Sequence, residues 1–446
     1  MSRRRRRRQL PEPSVVKIEA MSHEGRGIAH IDGKTVFVFG ALKGEEVRIQ
    51  IRKSNRNYDQ AVTLDVIQAS AMRVQPKCDA FDVCGGCSLQ HMKNEDQVVF
   101  KQKSLLEMLE HAGINVGQVI PALQSSAWGY RRKARLGVKY VKKKGRVLVG
   151  FRERNTPYLA DMSRCEVLVP EVGHRLQALA SLIESLEARE SIPQIEVACD
   201  DDHVALVFRN LKDLSSEDTE KLIDFAKLNS FWIQLQPGGP DSITNLYPEK
   251  QSLYFSPLEN DDIKIRFRVV DFTQVNAGIN QQMVKQALGF LDLNKQDRVL
   301  DLFCGLGNFS SPIARLCATL TGVEGDQAMV TRAKENALEH SIDNSDYFVA
   351  DLTQPDPDTT WMRQQYDKIL LDPPRSGALE IVQLISRFRA RIIVYVSCQP
   401  ASLVRDSKII CDSGYRLTHF GVMDMFPQTA HVESMAVFER EHKHSN

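Results

Sequence analysis

At 446 residues, 42% hydrophobic and 26% charged, the chain is long enough for two or three domains with ample cores and reads as a soluble globular protein. No apolar run nears the ~20 residues of a membrane helix. The start MSRRRRRRQLPEP lacks the apolar stretch of a secretory signal, and nine cysteines without compact disulfide spacing point to a reducing cytoplasm.

In chain order, residues 1–11 form a basic tail, expected to be disordered. Arg3–Arg8 carry +6, so a net charge of +1 leaves −5 for the remainder. Residues 12–70 hold short alternating runs (VVKIEAMS, GIAHIDGKTVFVFG, EEVRIQIRKS, YDQAVTLDVIQAS) separated by Gly-containing turns, which predicts a small OB-like β-barrel. Residues 71–270 form a mixed α/β central domain, with a helix over 96–113 that packs on the catalytic domain and another over 171–189. Within it, IPQIEVACDDDHVALVFRN predicts two strands around an Asp-rich turn. The stretch 131–154 holds eleven Lys or Arg against one acid, Glu153. Such a local field favours a polyanion; the alternative is a solvated hairpin turning at KKKG.

From 271 to 446 the pattern changes. DRVLDLFCGLGNF, ATLTGVEG, DYFVAD, DKILLDPPRSG and RIIVYVSCQP alternate with helical stretches, which predicts a parallel, Rossmann-like α/β sheet. Gly305 and Gly307 permit close approach of backbone to ligand, but Ser310 stands where a dinucleotide fingerprint has its third glycine. Glu324 follows Asp301 by 23 residues and can accept the ribose hydroxyls of an adenosyl ligand; Asp351 and Asp372 end the next two strands. Those acids can equally cap helices. Cys398 closes VYVSCQP at a strand's carboxyl end, either as a packed small hydrophobe or as a nucleophile.

Cys78, Cys84 and Cys87 in CDAFDVCGGC, with Cys165 in MSRCEVL, make a possible four-thiolate site for zinc or an iron–sulfur cluster. Cys199, Cys304, Cys317 and Cys411 read as packing.

DLFCGLGNF, GVEG, LLDPPRSG, VYVSCQP and DMFPQTAHVES, in that order, resemble the motifs of S-adenosylmethionine-dependent RNA uracil-C5-methyltransferases. Arg375 stands where amine methyltransferases usually carry an aromatic. The resemblance implies that Cys398 is the nucleophile and Glu433 the base, where position alone reads Glu433 as an exposed acid before a final strand SMAVFER. His431 is left as a structural partner. It further implies methyl-donor contacts from Gln274, Phe303, Asn308, Glu324, Asp351 and Asp372, with Phe272 as packing. The four cysteines look like the [4Fe-4S] ligands of one branch of that family, and residues 12–70 resemble a TRAM domain. Barrel and cluster together imply a cytoplasmic enzyme acting on a flipped-out uracil of 23S ribosomal RNA, with no membrane or protein partner. An exocyclic-amine methyltransferase and a non-catalytic RNA-binding iron–sulfur protein remain as alternatives.

Overall fold

The computed structural model describes residues 11–441, so the Arg3–Arg8 run lies outside the described residues. The chain divides into two compact units. The smaller is the chain up to Lys101 joined by Arg152–Tyr158 and Phe426–His431; the larger takes the rest.

In the smaller unit the strands Ser14–Lys17, Ala20–Met21, Gly27–Ile31, Lys34–Phe39, Glu46–Ser54 and Tyr58–Gln68 form one sheet, in the spatial order first, fifth, sixth, fourth, third, second. Alternation puts Ala29, Val36, Val38, Val47, Ile49 and Ala61 on one buried face. A buried carboxylate closes this part: Glu45 accepts from Arg73 Nε at 2.5 Å and from Leu42 N at 2.8 Å. The helix predicted over 96–113 runs Asn94–His111. Its Gln97 and Lys101 are tied to the returning segment, Gln97 Nε2 donating to Gln428 Oε1 at 3.1 Å and Lys101 Nζ to the Phe426 carbonyl at 3.1 Å.

The larger unit holds two main sheets. The first orders Thr244–Tyr247, Phe231–Gln236, Val204–Arg209, Gln194–Cys199, Lys133–Val141 and Arg146–Gly150. The Asp-rich turn joins Gln194–Cys199 to Val204–Arg209 as an antiparallel pair, as the sequence predicts. The helix expected over 171–189 is broken into Pro170–Gly173, Leu176–Glu184 and a 3₁₀ turn Glu187–Glu190. At the first break Gly173 packs against the Cys165 carbonyl, where a Cβ would clash.

The second sheet carries the site. Its strands are β1 (Arg298–Leu302), β2 (Thr319–Glu324), β3 (Ser345–Val349), β4 (Lys368–Leu371), β5 (Ile392–Ser397), β6 (Tyr415–Met423) and β7 (Glu433–Arg440), in spatial order β3-β2-β1-β4-β5-β7-β6, with Gln118–Val119 at the edge. β1 to β5 are parallel, and β4 and β5 carry unbroken apolar runs, Ile369–Leu371 and Ile392–Val396, because both faces are covered. The flanking helices include α1 (Ala277–Leu291), α2 (Gln327–Glu339) and α3 (Pro400–Asp412). β7 alone runs antiparallel between β5 and β6, which brings its first residue to the carboxyl edge of the parallel strands.

Candidate active site

The loop after β1 is shaped by backbone that only special residues adopt easily. Gly305 (φ +55°) and Gly307 (φ +93°) are left-handed, and so is Phe303 at φ +64°. A bulky residue held there is a strained position of the kind found at ligand sites. Glu324, at the end of β2, accepts from Gly305 N at 3.1 Å with one oxygen and from Gly325 N and Asp326 N at 2.7 and 3.0 Å with the other. It holds the Gly-rich turn onto the strand end. Asn308 exchanges two 2.9 Å amide hydrogen bonds with Asn280 of α1. Gln274 is half-buried in a small pocket it shares with Cys199, Ala277 and Asn280. Its segment is pinned to the first sheet, since Arg132 N donates to the Val275 carbonyl at 2.9 Å and Asn276 caps α1 by accepting from Ile279 N.

Asp351 is not brought to this cluster as a partner of any of these residues. It is exposed and accepts from Thr353 N and Oγ1 at 2.9 and 2.7 Å, which lowers its pKa. Phe272 is 67% exposed, so its reading as packing is wrong. Asp301 is the first of the four acids that the sequence sets at successive strand ends, although the resemblance gives it no donor contact. It is fully buried; burial pushes its pKa up to about 7 against the Ser310 hydroxyl bond (2.5 Å), and the Asp372 and Glu324 carboxylates push the same way. Its Oδ1 has no hydrogen-bond partner, which leaves an acceptor for a ligand. That bond explains why Ser310 replaces a glycine. Sequence reasoning missed Asn280; its only signal is an amide one turn into the helix after the Gln274 segment.

The chemistry-bearing pair sits where β5 and β7 part. The last pair of their ladder is Ser397↔Ser434, so Cys398 and Glu433 are the next residues along the two chains. Glu433 is only 6% exposed, which removes its reading as a solvated acid. Burial pushes Glu433 up to about 8, Asp372 adds to the shift, and Arg375 opposes it. Cys398 is pushed up to about 11 by burial and by the Glu433 and Asp372 carboxylates, again against Arg375. Burial alone raises Asp372 to about 7. Burial thus favours the protonated thiol at Cys398 and raises both neighbouring carboxyls toward neutral pH. His431 is exposed, its ring 5.7 Å from that of Phe426.

The DPPRSG loop that carries Asp372 and Arg375 is clamped from α3. The fully buried Asp406 accepts from Tyr395 Oη and Ala378 N, each at 2.7 Å, and from Arg405 Nε at 2.7 Å, while Arg405 Nη2 donates to the Ser376 carbonyl at 2.8 Å. Gly377 has φ +79°, and a Cβ there would stand 2.5 Å from Asp406 Oδ2. Gly377→Ala is therefore expected to cost roughly 1–3 kcal/mol of stability. Urea unfolding measures the loss; an unchanged midpoint would mean the clamp is not rigid.

The candidate metal ligands divide between the units. Cys78, Cys84 and Cys87 lie in the smaller and Cys165 in the larger; none is in a disulfide, and the last three are buried. Arg154 Nη2 donates to the Cys84 and Cys87 carbonyls at 2.9 and 2.8 Å, and Gly86 N donates to Cys84 Sγ at 3.4 Å. Arg154 Nε is buried without a partner. The Gly86 N–H on the Cys84 sulfur and the Arg154 guanidinium on the Cys84 and Cys87 carbonyls organise the Cys84–Cys87 turn of the smaller unit. Among the described residues no group of three or more His, Cys, Asp or Glu is arranged to hold a metal ion.

The basic stretch forms the hairpin Lys133–Val141/Arg146–Gly150, turning at Lys142–Gly145 with those four residues exposed. Part of its charge is answered: Lys144 and Arg146 meet Asp161 at 2.5 and 2.7 Å, and Arg135 meets Glu196 at 2.7 Å. No helix among the described residues is long and apolar enough to cross a membrane.

The sequence matches the family described as tRNA (Uracil-5-)-methyltransferase over residues 101–354 and 356–441. The chain belongs to that family. Residues 15–62 also match the TRAM domain. Two similar relatives carry the name 23S rRNA (uracil(1939)-C(5))-methyltransferase RlmD. The one from Xanthomonas campestris pv. campestris is 47% identical over 433 residues, 96% of this chain and 97% of the relative. That from Alkalilimnicola ehrlichii is 49% identical over 441 residues, 98% and 99% of the two chains. The fold is similar to that of the Pyrococcus abyssi tRNA (uracil-54, C5)-methyltransferase in complex with S-adenosyl-L-homocysteine, at a TM-score of 0.72 and 21% identity over 95% of this chain and 100% of that one.

Proposed function

We propose that this protein is a 23S rRNA (uracil1939-C5)-methyltransferase that moves a methyl group from S-adenosylmethionine to C5 of a flipped-out uracil. The observation that carries the reading is the meeting of Cys398 and Glu433 at the β5/β7 edge, in a chain of this family that resembles the RlmD relatives over nearly its whole length. Uracil C5 is a weak carbon nucleophile. Cys398 gives up its proton to solvent, and the thiolate adds to C6, pushing an electron pair into the ring as an enolate. C5 then attacks the methyl carbon, and S-adenosylhomocysteine departs with the bonding pair. Glu433 as carboxylate removes the C5 proton, the C6–S bond breaks, and the thiolate is restored. Arg375, the cation facing both groups, favours the thiolate and the carboxylate over their neutral forms.

Asp301, Phe303, Asn308, Glu324 and Asp372 lie at or just after the strand ends at which the methyl donor would bind, and Gln274, beside Asn280 in the segment before α1, joins them by resemblance. Asp351 keeps a place in that set only by resemblance. Cys78, Cys84, Cys87 and Cys165 would hold a [4Fe-4S] cluster, which supplies a rigid anionic cross-link for the ligand turn. The TRAM segment, as an OB-like barrel, and the basic hairpin would hold the RNA by phosphates and shape. Replacing Lys142, Lys143 and Lys144 by Ala is expected to flatten the log–log salt dependence of RNA binding by roughly 0.7–0.9 per lost phosphate contact. An unchanged slope assigns the grip elsewhere.

Mass mapping of methyl groups on 23S RNA from cells with and without the protein tests the function. Loss of one 5-methyluracil at position 1939 is expected; loss at another RNA position, or of an N-methyl group, overturns the assignment.

A further inference from the structure

Arg375, the cation that acts on both Cys398 and Glu433, is exposed and has no hydrogen bond or ion pair among the described residues. No partner of its own side chain fixes where that charge sits; its backbone does. Gly377 N donates to the Pro374 carbonyl at 2.8 Å and closes a tight turn with Arg375 and Ser376 at its tip. Before the tip, Pro373 and Pro374 restrict φ. After it, α3 grips the turn twice: Arg405 Nη2 donates to the Ser376 carbonyl at 2.8 Å, and Ala378 N donates to Asp406 Oδ2 at 2.7 Å. The fit is close, since a Cβ on Gly377 would stand 2.6 Å from Arg405 Nη2.

The two gripping residues are themselves locked. Arg405 Nε and Nη2 both lie 2.7 Å from Asp406 Oδ1, and Tyr395 Oη donates to Asp406 Oδ2 at 2.7 Å. Tyr395 stands on β5 three residues before Cys398, and α3 starts at Pro400, two residues after the thiol. One strand–helix unit therefore carries both the nucleophile and the anchor of the cation. Asp is a weak helix former, and a buried carboxylate is costly unless it is paired and bonded, so the fully buried Asp406 in the middle of α3 is explained by the turn it holds. We propose that Arg405 and Asp406 are positioning residues for the methyl transfer, holding the Arg375 guanidinium toward Cys398 and Glu433 through the 374–377 turn. The proposal rests on the uracil-C5 reading of the site.

The charges that act on Cys398 are Glu433 on β7 with Asp372 and Arg375 on the loop after β4, and those that act on Glu433 are Asp372 and Arg375. Arg375 alone of these favours the thiolate, so a freed turn leaves the thiol holding its proton more firmly. Arg405→Ala frees the turn at a side chain that is 41% exposed. The probe is iodoacetamide at pH 8 without RNA, with alkylation of Cys398 followed by the mass of its peptide, since the thiolate is the species that reacts. Arg405→Ala is expected to react about threefold more slowly than the parent, and Arg375→Ala likewise. The double variant Arg375→Ala/Arg405→Ala is expected to be no slower than Arg375→Ala, because the anchor acts only through the cation. Arg405→Lys keeps the charge but not the planar fork and is expected to fall between parent and alanine variant; should Arg405→Ala fail to fold, Arg405→Lys decides by the same comparison. In RNA methylation kcat is expected to fall about tenfold in Arg405→Ala, with S-adenosylhomocysteine affinity within twofold of the parent. Alkylation at the parent's rate overturns the proposal, and so does faster alkylation, which would make the turn a cover on the thiol. Additive losses in the double variant, or a loss confined to donor affinity, overturn it as well. A failure of the functional reading is seen separately, as a parent protein that methylates no RNA.

Discussion

Cys398→Ala is expected to abolish both methyl transfer and the covalent RNA adduct, while Glu433→Gln transfers one methyl group and then stalls with the RNA attached. The two variants interrupt the reaction on opposite sides of the methylated intermediate. Without the thiolate, C5 never gains electron density, and removal of a nucleophile typically costs on the order of 10⁴-fold or more. Without the carboxylate, the C5 proton stays and elimination cannot free Cys398. A denaturing gel of enzyme with labelled RNA reads the adduct directly. The near-neutral carboxyls add a pH signature. Glu433, raised to about 8, is the competent base only when ionised and acts after methyl transfer, so kcat is expected to climb from pH 6 to pH 9 and to be lost as the pH falls through about 8, while the first methyl transfer does not depend on it. Full turnover by Cys398→Ala would instead favour attack by an exocyclic amine, which needs no thiol.

Protein purified without oxygen is expected to hold about four irons per chain with a broad absorption near roughly 400 nm, and Cys84→Ser is expected to lose both. Cys84 is the telling position because its sulfur accepts from Gly86 N and its carbonyl from Arg154, so the turn is already organised about it. Cys411→Ser, at a thiol with no ligand spacing, serves as the control and should keep its iron. One zinc per chain and no iron would assign the four thiolates to a mononuclear site.

Much of the catalytic half is legible in sequence because its signals are local. Strand and helix alternate with clear periods, the apolar run of β5 stops at Ser397, and two glycines mark the turn after β1. A thiol placed directly after a buried parallel strand must emerge at the carboxyl edge, whatever the rest of the fold does. The site's acids are less legible, because a carboxylate's role depends on its surroundings. Asp351 and Asp301 look alike as letters near strand ends, yet one is exposed and turned onto Thr353 while the other is sealed and left with an unbonded oxygen.

The alternation of elements, the thiol at the end of β5 and the spacing of four cysteines were determined by the sequence alone. Tertiary structure decided that β7 runs antiparallel between β5 and β6, and that insertion sets Glu433 beside Cys398 across 34 intervening residues. It also decided that Asp406 clamps the Arg375 loop and that Phe272 faces solvent. The physical reason is common to all three: strand order, burial and the desolvation that shifts a carboxyl's pKa are properties of packing between distant segments, and no local propensity encodes them.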